Sequence, residues 1–267
     1  MLAREEPIRA SDDDAAPWEA TAAYLYLLQL DPPALAWEYL RRDPAYRACW
    51  RRFGRRAGAE AARPWGLAWL ADPNRDARDA HPVWDDCLPS LLHLRATGGQ
   101  TGAGLDLWHI PGPKRLIALP DGFALEAGDG AHVLRARLGS GVLEGQPVFC
   151  TVPLDARLHA QAALLAAHAA HLAPRRACPR ARYAASHLVP LAARHHLHAL
   201  QALDGARAGA SQRHIAEVIY GRDRVHAYWH TDSALRAQLR HSLARGFALM
   251  RGGYRDLAGL RPACTRR

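Results

Sequence analysis

Residues 209–221 read Gly209-Ala210-Ser211-Gln212-Arg213-His214-Ile215-Ala216-Glu217-Val218-Ile219-Tyr220-Gly221, and the reading of the C-terminal third turns on this stretch. Ser211 is a favourable helix N-cap. Ile215, Val218 and Ile219 fall on one helical face with Ala216 beside them, and Gly221 supplies a C-terminal stop. A helix over 211–220 is predicted. Downstream, Asp232 or Ser233 caps a second helix over 233–250, whose Leu235, Leu239, Leu243, Phe247 and Met250 recur at steps of three and four residues. A further helix is predicted upstream, over about 188–203. The segment between the helices at 211–220 and 233–250 contains Tyr228 and Trp229 and is longer than a simple helix-turn-helix turn. One helix that braces, followed by an amphipathic helix with a polar outer side, is the layout of a helix-turn-helix bundle. In that arrangement the second helix offers polar side chains to base edges in the major groove.

The polar residues fit that layout. Ser233 opens the last helix, and Arg236, Gln238, Arg240, His241 and Arg245 surround its apolar stripe. Arg and Gln can contact guanine and adenine through two hydrogen bonds. Ser211, Gln212 and Arg213 begin the bracing helix, and Arg222, Arg224, Arg251 and Arg255 are further candidates for phosphate contacts, which fix register without reading sequence. The charge distribution points to the same region. The 267-residue chain has a net charge of +9, yet residues 175–267 hold 17 Arg against 5 acidic residues, a net of +12, leaving −3 for the first 174. Such clustering favours a polyanionic partner at the C-terminal end. A GC-rich genome accounts for Arg in place of Lys, since Lys114 is the only lysine, but not for where the arginines fall. The plainer alternative is a three-helix bundle with a solvated Arg face.

Working outward, residues 18–96 read as a small helical domain rich in Trp. Asp31-Pro32-Pro33 starts a helix through an N-cap and first-turn prolines, and Asp43-Pro44 punctuates it. Trp37, Tyr46, Trp50, Trp65, Trp69 and Trp84 are expected in its core rather than stacked on bases. Residues 97–104 are Gly-rich and read as a linker. From 105 to 152 the apolar period shifts toward two, in short runs (Leu105–Ile110, Arg115–Leu119, Phe123–Leu125, Val133–Leu138, Val148–Val152) separated by Gly- and Pro-rich turns. This predicts an antiparallel β meander. Residues 154–172 form an Ala/Leu helix with Asp155 as a possible cap, and 173–186 read as a connector. The sequence therefore predicts an α+β protein: a helical domain over 18–96, then a second domain over 105–258 made of the meander (105–152) and the helix-turn-helix part (187–258).

Other chemistries find little support. The five cysteines include no CxxC pair, and their odd number argues against a disulfide framework or zinc ribbon. Among the fifteen histidines, His168 with His171 and His195 with His198 share helix faces, but no acidic partner lies close in sequence and no HExxH occurs, so no metal is expected. There is no phosphate loop, no dinucleotide fingerprint and no GxSxG elbow, and the acids Asp72, Asp76, Asp79, Asp85 and Asp86 alternate with Arg75 and Arg78 as in a salt-bridged surface loop. Neither catalysis nor a cofactor is expected. The acidic N-terminus predicts no signal peptide, and no apolar run of about 18 residues predicts a membrane span. With reduced thiols, this reads as a cytoplasmic protein. The competing class is a non-catalytic structural or partner-binding protein of a secretion or conjugation system.

Leu203-Asp204-Gly205, Gly209-Ala210-Ser211-Gln212-Arg213-His214-Ile215-Ala216, Gly221, Leu235-Arg236 and Arg251-Gly252-Gly253-Tyr254-Arg255-Asp256-Leu257 together resemble the RovC-like DNA-binding domain, a family associated with type VI secretion regulators. Tyr24-Leu25-Tyr26-Leu27-Leu28, Trp37-Glu38-Tyr39-Leu40-Arg41-Arg42 and Trp65-Gly66-Leu67 similarly resemble a companion transcriptional-regulator-like domain. The resemblance spans most of residues 20–258 and implies a bacterial transcription factor that binds double-stranded DNA and forms a homo-oligomer. Two departures stand out: Asp223 to His230 is longer and more polar than the family pattern, and the Leu-Leu ending after Gly-Gly-Tyr-Arg reads Leu257-Ala258.

Overall fold

Two Asp-Pro pairs open the first two helices. Asp31 caps α1 (Pro32–Leu40), its Oδ1 accepting from the Ala34 N–H at 3.1 Å, and Asp43 caps α2 (Pro44–Phe53), accepting from the Ala45 N–H at 2.7 Å. Each cap contributes about 1 kcal/mol, and the prolines lose nothing at a position without an intrahelical partner. In this computed structural model, residues 18–54, 58–97, 104–110, 112–129, 132–142, 145–152, 154, 158–172, 190–230 and 233–260 are described. The expected connector at 173–186 and the caps at Asp155 and Asp232 lie outside them.

Trp37, Tyr39, Leu40 and Tyr46 are completely buried. The Tyr46 hydroxyl donates to the Ala71 carbonyl at 2.6 Å and accepts from the Ala71 N–H at 2.9 Å, while its ring meets Trp37 and Trp65 edge-on at 5.6 and 5.3 Å. Trp37, Tyr46 and Trp84 are thus core residues as expected, whereas Trp50, Trp65 and Trp69 are only half-buried. Between 72 and 75 the chain turns, with Asn74 N–H donating to the Asp72 carboxylate at 3.0 Å. The short helices α3 (Ala59–Ala62) and α4 (Ala77–Ala80) complete this helical part.

The sheet holds β1 (Leu91–Ala96), β2 (Lys114–Leu119), β3 (Gly122–Asp129), β4 (His132–Gly139) and β5 (Val148–Thr151), in the order β2-β3-β4-β1-β5. The β2–β3–β4 part is the expected antiparallel meander. The sheet as a whole is mixed, because β1 enters from the segment read as helical, pairs parallel with β4 and takes β5 antiparallel on its other side. Alternation along a strand reveals which face is apolar but not which strand lies next door. Leu105–Ile110, expected as a strand, instead carries a 3-10 turn at Leu107–His109, because the Asp106 carboxylate accepts from the Trp108 N–H at 2.9 Å and bends the chain.

Period two gives this sheet two unlike faces. On one, Leu92, Leu94, Leu125, Ala127, Leu134, Ala136 and Leu138 form an apolar core with Leu105, Ile110 and Val142, and Leu164, Leu165 and Leu172 of α5 (Leu158–Leu172) pack against it. The other is charged: Glu126 faces Arg135 and Ala124 faces Arg137 across β3 and β4. Arg135 is buried and paired with both Asp31 and Glu126. Its guanidinium thereby ties the start of α1 to the sheet. Glu126 also meets His81 at 3.3 Å, and Arg137 donates to Asp86 at 2.8 Å and to the Trp84 carbonyl at 3.1 Å. Within α1, burial alone pushes the Glu38 carboxyl upward, but Arg41 and Arg42, each 2.7 Å away, outweigh it and hold the group ionised.

The chain forms two compact units, each discontinuous in sequence: residues 29–188 with 249–267, and residues 1–28 with 189–248. The segments 18–96 and 105–258 are therefore each shared between both units. The second unit contains α6 (Leu191–Arg207), α7 (Gln212–Tyr220), α8 (Arg222–Tyr228) and α9 (Ala234–Ala248). After a kink at Arg251 and Gly252 comes α10 (Tyr254–Ala258), which packs on α1 in the first unit. No described helix is long and apolar enough to cross a membrane. The α+β class stands.

Candidate nucleic-acid interface

α7 begins as its sequence requires, with Ser211 Oγ accepting from the His214 N–H at 3.2 Å. The turn from α6 closes through Ala210 N–H donating to the Gly205 carbonyl, with Gly209 at φ 80°, where a side chain would be strained. Ile215 and Ala216 are buried. Gly221, at φ 92°, both ends α7 and starts α8. The segment read as a long polar loop thus contains a helix. It escaped detection because Val225 is its only buried residue, too little periodicity to register. Arg222, Arg224, His226 and Tyr228 of α8 are all exposed.

α9 is capped by Ser233, whose Oγ accepts from the Arg236 N–H at 3.2 Å. Its inner side holds Leu235, Leu239, Ser242 and Gly246, all buried, and packs along α6. The approach is closest at Gly246, where an added Cβ would lie 2.8 Å from the Ala199 carbonyl oxygen. The opposite side carries Gln238, Arg240 and His241, all exposed, and the helix contains no acidic residue. The exposed side of α9 is therefore open and free of acids, with the Arg240 guanidinium beside Gln238 and His241.

The other candidates are held in distinct ways. Arg236, at the first turn of α9, is half-buried with its guanidinium 5.7 Å from the centre of the Trp229 ring. Arg245 is turned toward α6, donating to His196 Nε2 at 3.2 Å. Burial, helped by Arg245 and His195, lowers the His196 pKa to about 4, so the imidazole stays neutral near pH 7 and can accept that bond. Gln212 and Arg213 are exposed on α7, and Arg213 pairs with Glu217 one turn on at 3.2 Å. Arg251 and Arg255 belong to the other unit, where Arg255 donates to the Pro64 carbonyl and lies 5.6 Å from the Tyr254 ring centre. All the other candidates, from Ser211 to Arg245, share the α6–α9 unit. Arg175, Arg176, Arg180, Arg182, Arg261, Arg266 and Arg267 fall outside the described residues.

An N-terminal strap completes this unit and was not legible from local pattern. Gln201 Nε2 donates to the Trp18 carbonyl and to Thr21 Oγ1, both at 3.0 Å, and the Tyr24 hydroxyl donates to Asp204 at 2.8 Å. Trp18 meets His214 edge-on at 5.3 Å, and Glu19 contacts the same imidazole at 2.9 Å. The residues that receive the strap are Gln201, Asp204, Gly205 and His214; the one local hint is Gly205 within a helix.

Two known families match parts of the chain. Residues 151–259 match the family described as "T6SS, Transcription factor, DNA binding domain", a span that contains α5 to α10. Residues 17–69 match the "Proteobacterial transcriptional regulator-like domain". No curated protein matches the chain as a relative. One segment thus resembles a transcriptional regulator-like domain and another a transcription-factor DNA-binding domain, and the chain is a DNA-binding transcriptional regulator.

Proposed function

We propose that the α6–α9 unit binds double-stranded DNA as an elaborated helix-turn-helix, with α9 as the recognition helix in the major groove. The supporting observation is the division of α9 into a buried side against α6 and an open, acid-free side bearing Gln238, Arg240 and His241. Ser233 and Arg236 lie at the end of α9 that enters the groove first, and Trp229 orients the Arg236 guanidinium there. Ser211, Gln212 and Arg213 of α7, with Arg222 and Arg224 of α8, contact phosphates and set the register. Arg245 supports the bundle from within through His196. Arg251 and Arg255 are secondary phosphate candidates from the other unit.

Two copies of the chain bind as a symmetric homo-oligomer in the cytoplasm, each placing α9 in one half-site, and the protein acts without catalysis or cofactor. Half-sites are then expected about 34–36 Å apart. Binding of the whole chain to duplex DNA, measured against salt, tests the reading. Engaging about six phosphates predicts roughly a thousandfold or greater loss of affinity between 50 and 200 mM salt. A flat response would remove DNA as the ligand of this surface and favour a partner-binding role.

A further inference from the structure

A cavity of about 280 Å³ opens between α2 and the segment 69–80, walled by Trp50, Trp69, Leu70 and Ala71 together with Asp72 and Arg75. Its walls are held in place by hydrogen bonds from α1 and α2. The Tyr46 hydroxyl, one turn before Trp50 on α2, engages both backbone groups of Ala71. Trp37 Nε1 donates to the Arg75 carbonyl and Arg41 Nη1 to the Pro73 carbonyl, both at 3.2 Å, and Arg47 Nη2 donates to Asn74 at 2.9 Å. The segment 71–75 is thereby fastened along its length, and the cavity is formed before any ligand arrives.

The two indoles set this cavity apart. Six of the eight tryptophans have a ring or a cation against them: Trp18 meets His214, Trp37 and Trp65 meet Tyr46, Trp84 meets Tyr254, Trp108 meets Lys114 and Trp229 meets Arg236. Trp50 and Trp69 have neither among the described residues, are half-buried, and both line the cavity. An indole so placed gains from an aromatic ring laid against it. The polar walls decide what else the ligand carries. Asp72 accepts from the Asn74 N–H through one carboxylate oxygen, which leaves the other open. The Arg75 guanidinium has no acceptor among the described residues. No ion pair joins it to Asp72, although the Arg75 N–H donates to the Asp72 carbonyl at 3.1 Å. A pure anion would meet the Asp72 carboxylate and a pure cation the guanidinium, whereas a ligand with both charges suits both walls.

We propose that this cavity binds a small aromatic zwitterion, an α-amino acid with an aromatic side chain. Its ring lies against Trp50 and Trp69, its carboxylate accepts from the Arg75 guanidinium, and its ammonium donates to Asp72. Because Asp72 and Arg75 share one turn of chain, the ligand's two charges stand close together, as they do on an α-amino acid. The volume suits one ring with a short polar end, since sites for drug-sized molecules begin at roughly 300 Å³. The site lies wholly within the sheet-bearing unit and does not depend on how the bundle meets DNA.

The test uses the full chain with its eight tryptophans labelled with nitrogen-15 at the indole, the two resonances being assigned by Trp50→Phe and Trp69→Phe. Phenylalanine is the probe; hydrocinnamate lacks its ammonium, phenethylamine its carboxylate and alanine its ring. The expected result is a saturable shift of both resonances with phenylalanine, at an affinity at least about threefold above that for each of the other three. Arg75→Gln weakens phenylalanine and hydrocinnamate without weakening phenethylamine. Asp72→Asn weakens phenylalanine and phenethylamine without weakening hydrocinnamate. The remaining indole resonances show that each variant keeps its fold. Trp50 and Trp69 signals unmoved by phenylalanine in the wild-type chain would overturn the proposal. So would a folded Arg75→Gln or Asp72→Asn chain that loses affinity for every ligand alike, or for none. Hydrocinnamate or phenethylamine binding as tightly as phenylalanine would overturn the assignment of a zwitterion, and alanine doing so that of an aromatic ring.

Discussion

At the scale of single residues, the structure separates arginines that look alike in sequence. Arg240 stands exposed on the open side of α9, whereas Arg245 supports the bundle through a neutral imidazole. Arg240→Ala is expected to leave thermal stability nearly unchanged and to lose about 1–3 kcal/mol of discrimination between the cognate duplex and a scrambled one. Equal losses on both duplexes would make Arg240 a phosphate contact. Arg213→Ala should weaken both alike and flatten the salt dependence, because a phosphate contact carries no sequence information. His196 makes a separate prediction. Its folded pKa, near 4, lies below the ordinary value of 6.5, so between those values the unfolded chain takes up a proton that the folded chain refuses. The contribution is therefore fully present above about pH 6.5 and is lost as the pH falls toward 4. Chemical denaturation at pH 7.5 and 5 should show this loss, and His196→Gln, which does not titrate but can still accept from Arg245, should reduce it.

At the scale of elements, close approach matters more than propensity. Replacing a mid-helix glycine by alanine ordinarily stabilises a helix by close to 1 kcal/mol. Gly205 lies in α6, yet a Cβ there would sit 2.8 Å from the Trp18 ring and 3.0 Å from Ile215 Cγ1. Gly205→Ala should therefore destabilise the α6–α9 unit; a higher melting temperature would show that the strap can shift without cost. The same contrast explains what could be read beforehand. α1, α2 and α7 were legible because their signals are local: an acid or serine cap, a first-turn proline, a closing glycine. The inner stripe of α9 was legible in its first turns, at Leu235 and Leu239; further on the buried residues are Ser242 and Gly246, while Leu243 and Phe247, expected in the stripe, are half-buried. α8 was not legible, since one buried valine in seven residues gives no period, nor was β1, whose partners β4 and β5 lie some forty to sixty residues further on. Among the site residues, sequence placed Gln238, Arg240 and His241 on the open side of α9. It could not tell them from Arg245, because which side of a helix meets a neighbour is decided by that neighbour.

At the scale of the whole molecule, the unit that carries α9 is not a continuous piece of chain. Its helices come from 189–248, but Trp18, Thr21 and Tyr24 come from the other end of the sequence and dock on Gln201, Asp204 and His214. Part of the N-terminal segment that matches a transcriptional regulator-like domain is thus built into the unit that carries α9. Trp18 is 8% exposed and covers Gly205, so truncating it leaves a cavity over α6. Trp18→Ala is expected to cost about 3–5 kcal/mol of stability in this unit. The contrast with Arg240→Ala is the informative part. Below the lowered transition, Trp18→Ala should retain its preference for the cognate duplex, because the open side of α9 is untouched. If Trp18→Ala kept its stability and lost DNA binding instead, the strap would be a contact surface for the duplex and not a structural brace, and the assignment of the open side of α9 as the reading surface would have to be redrawn around the N-terminus.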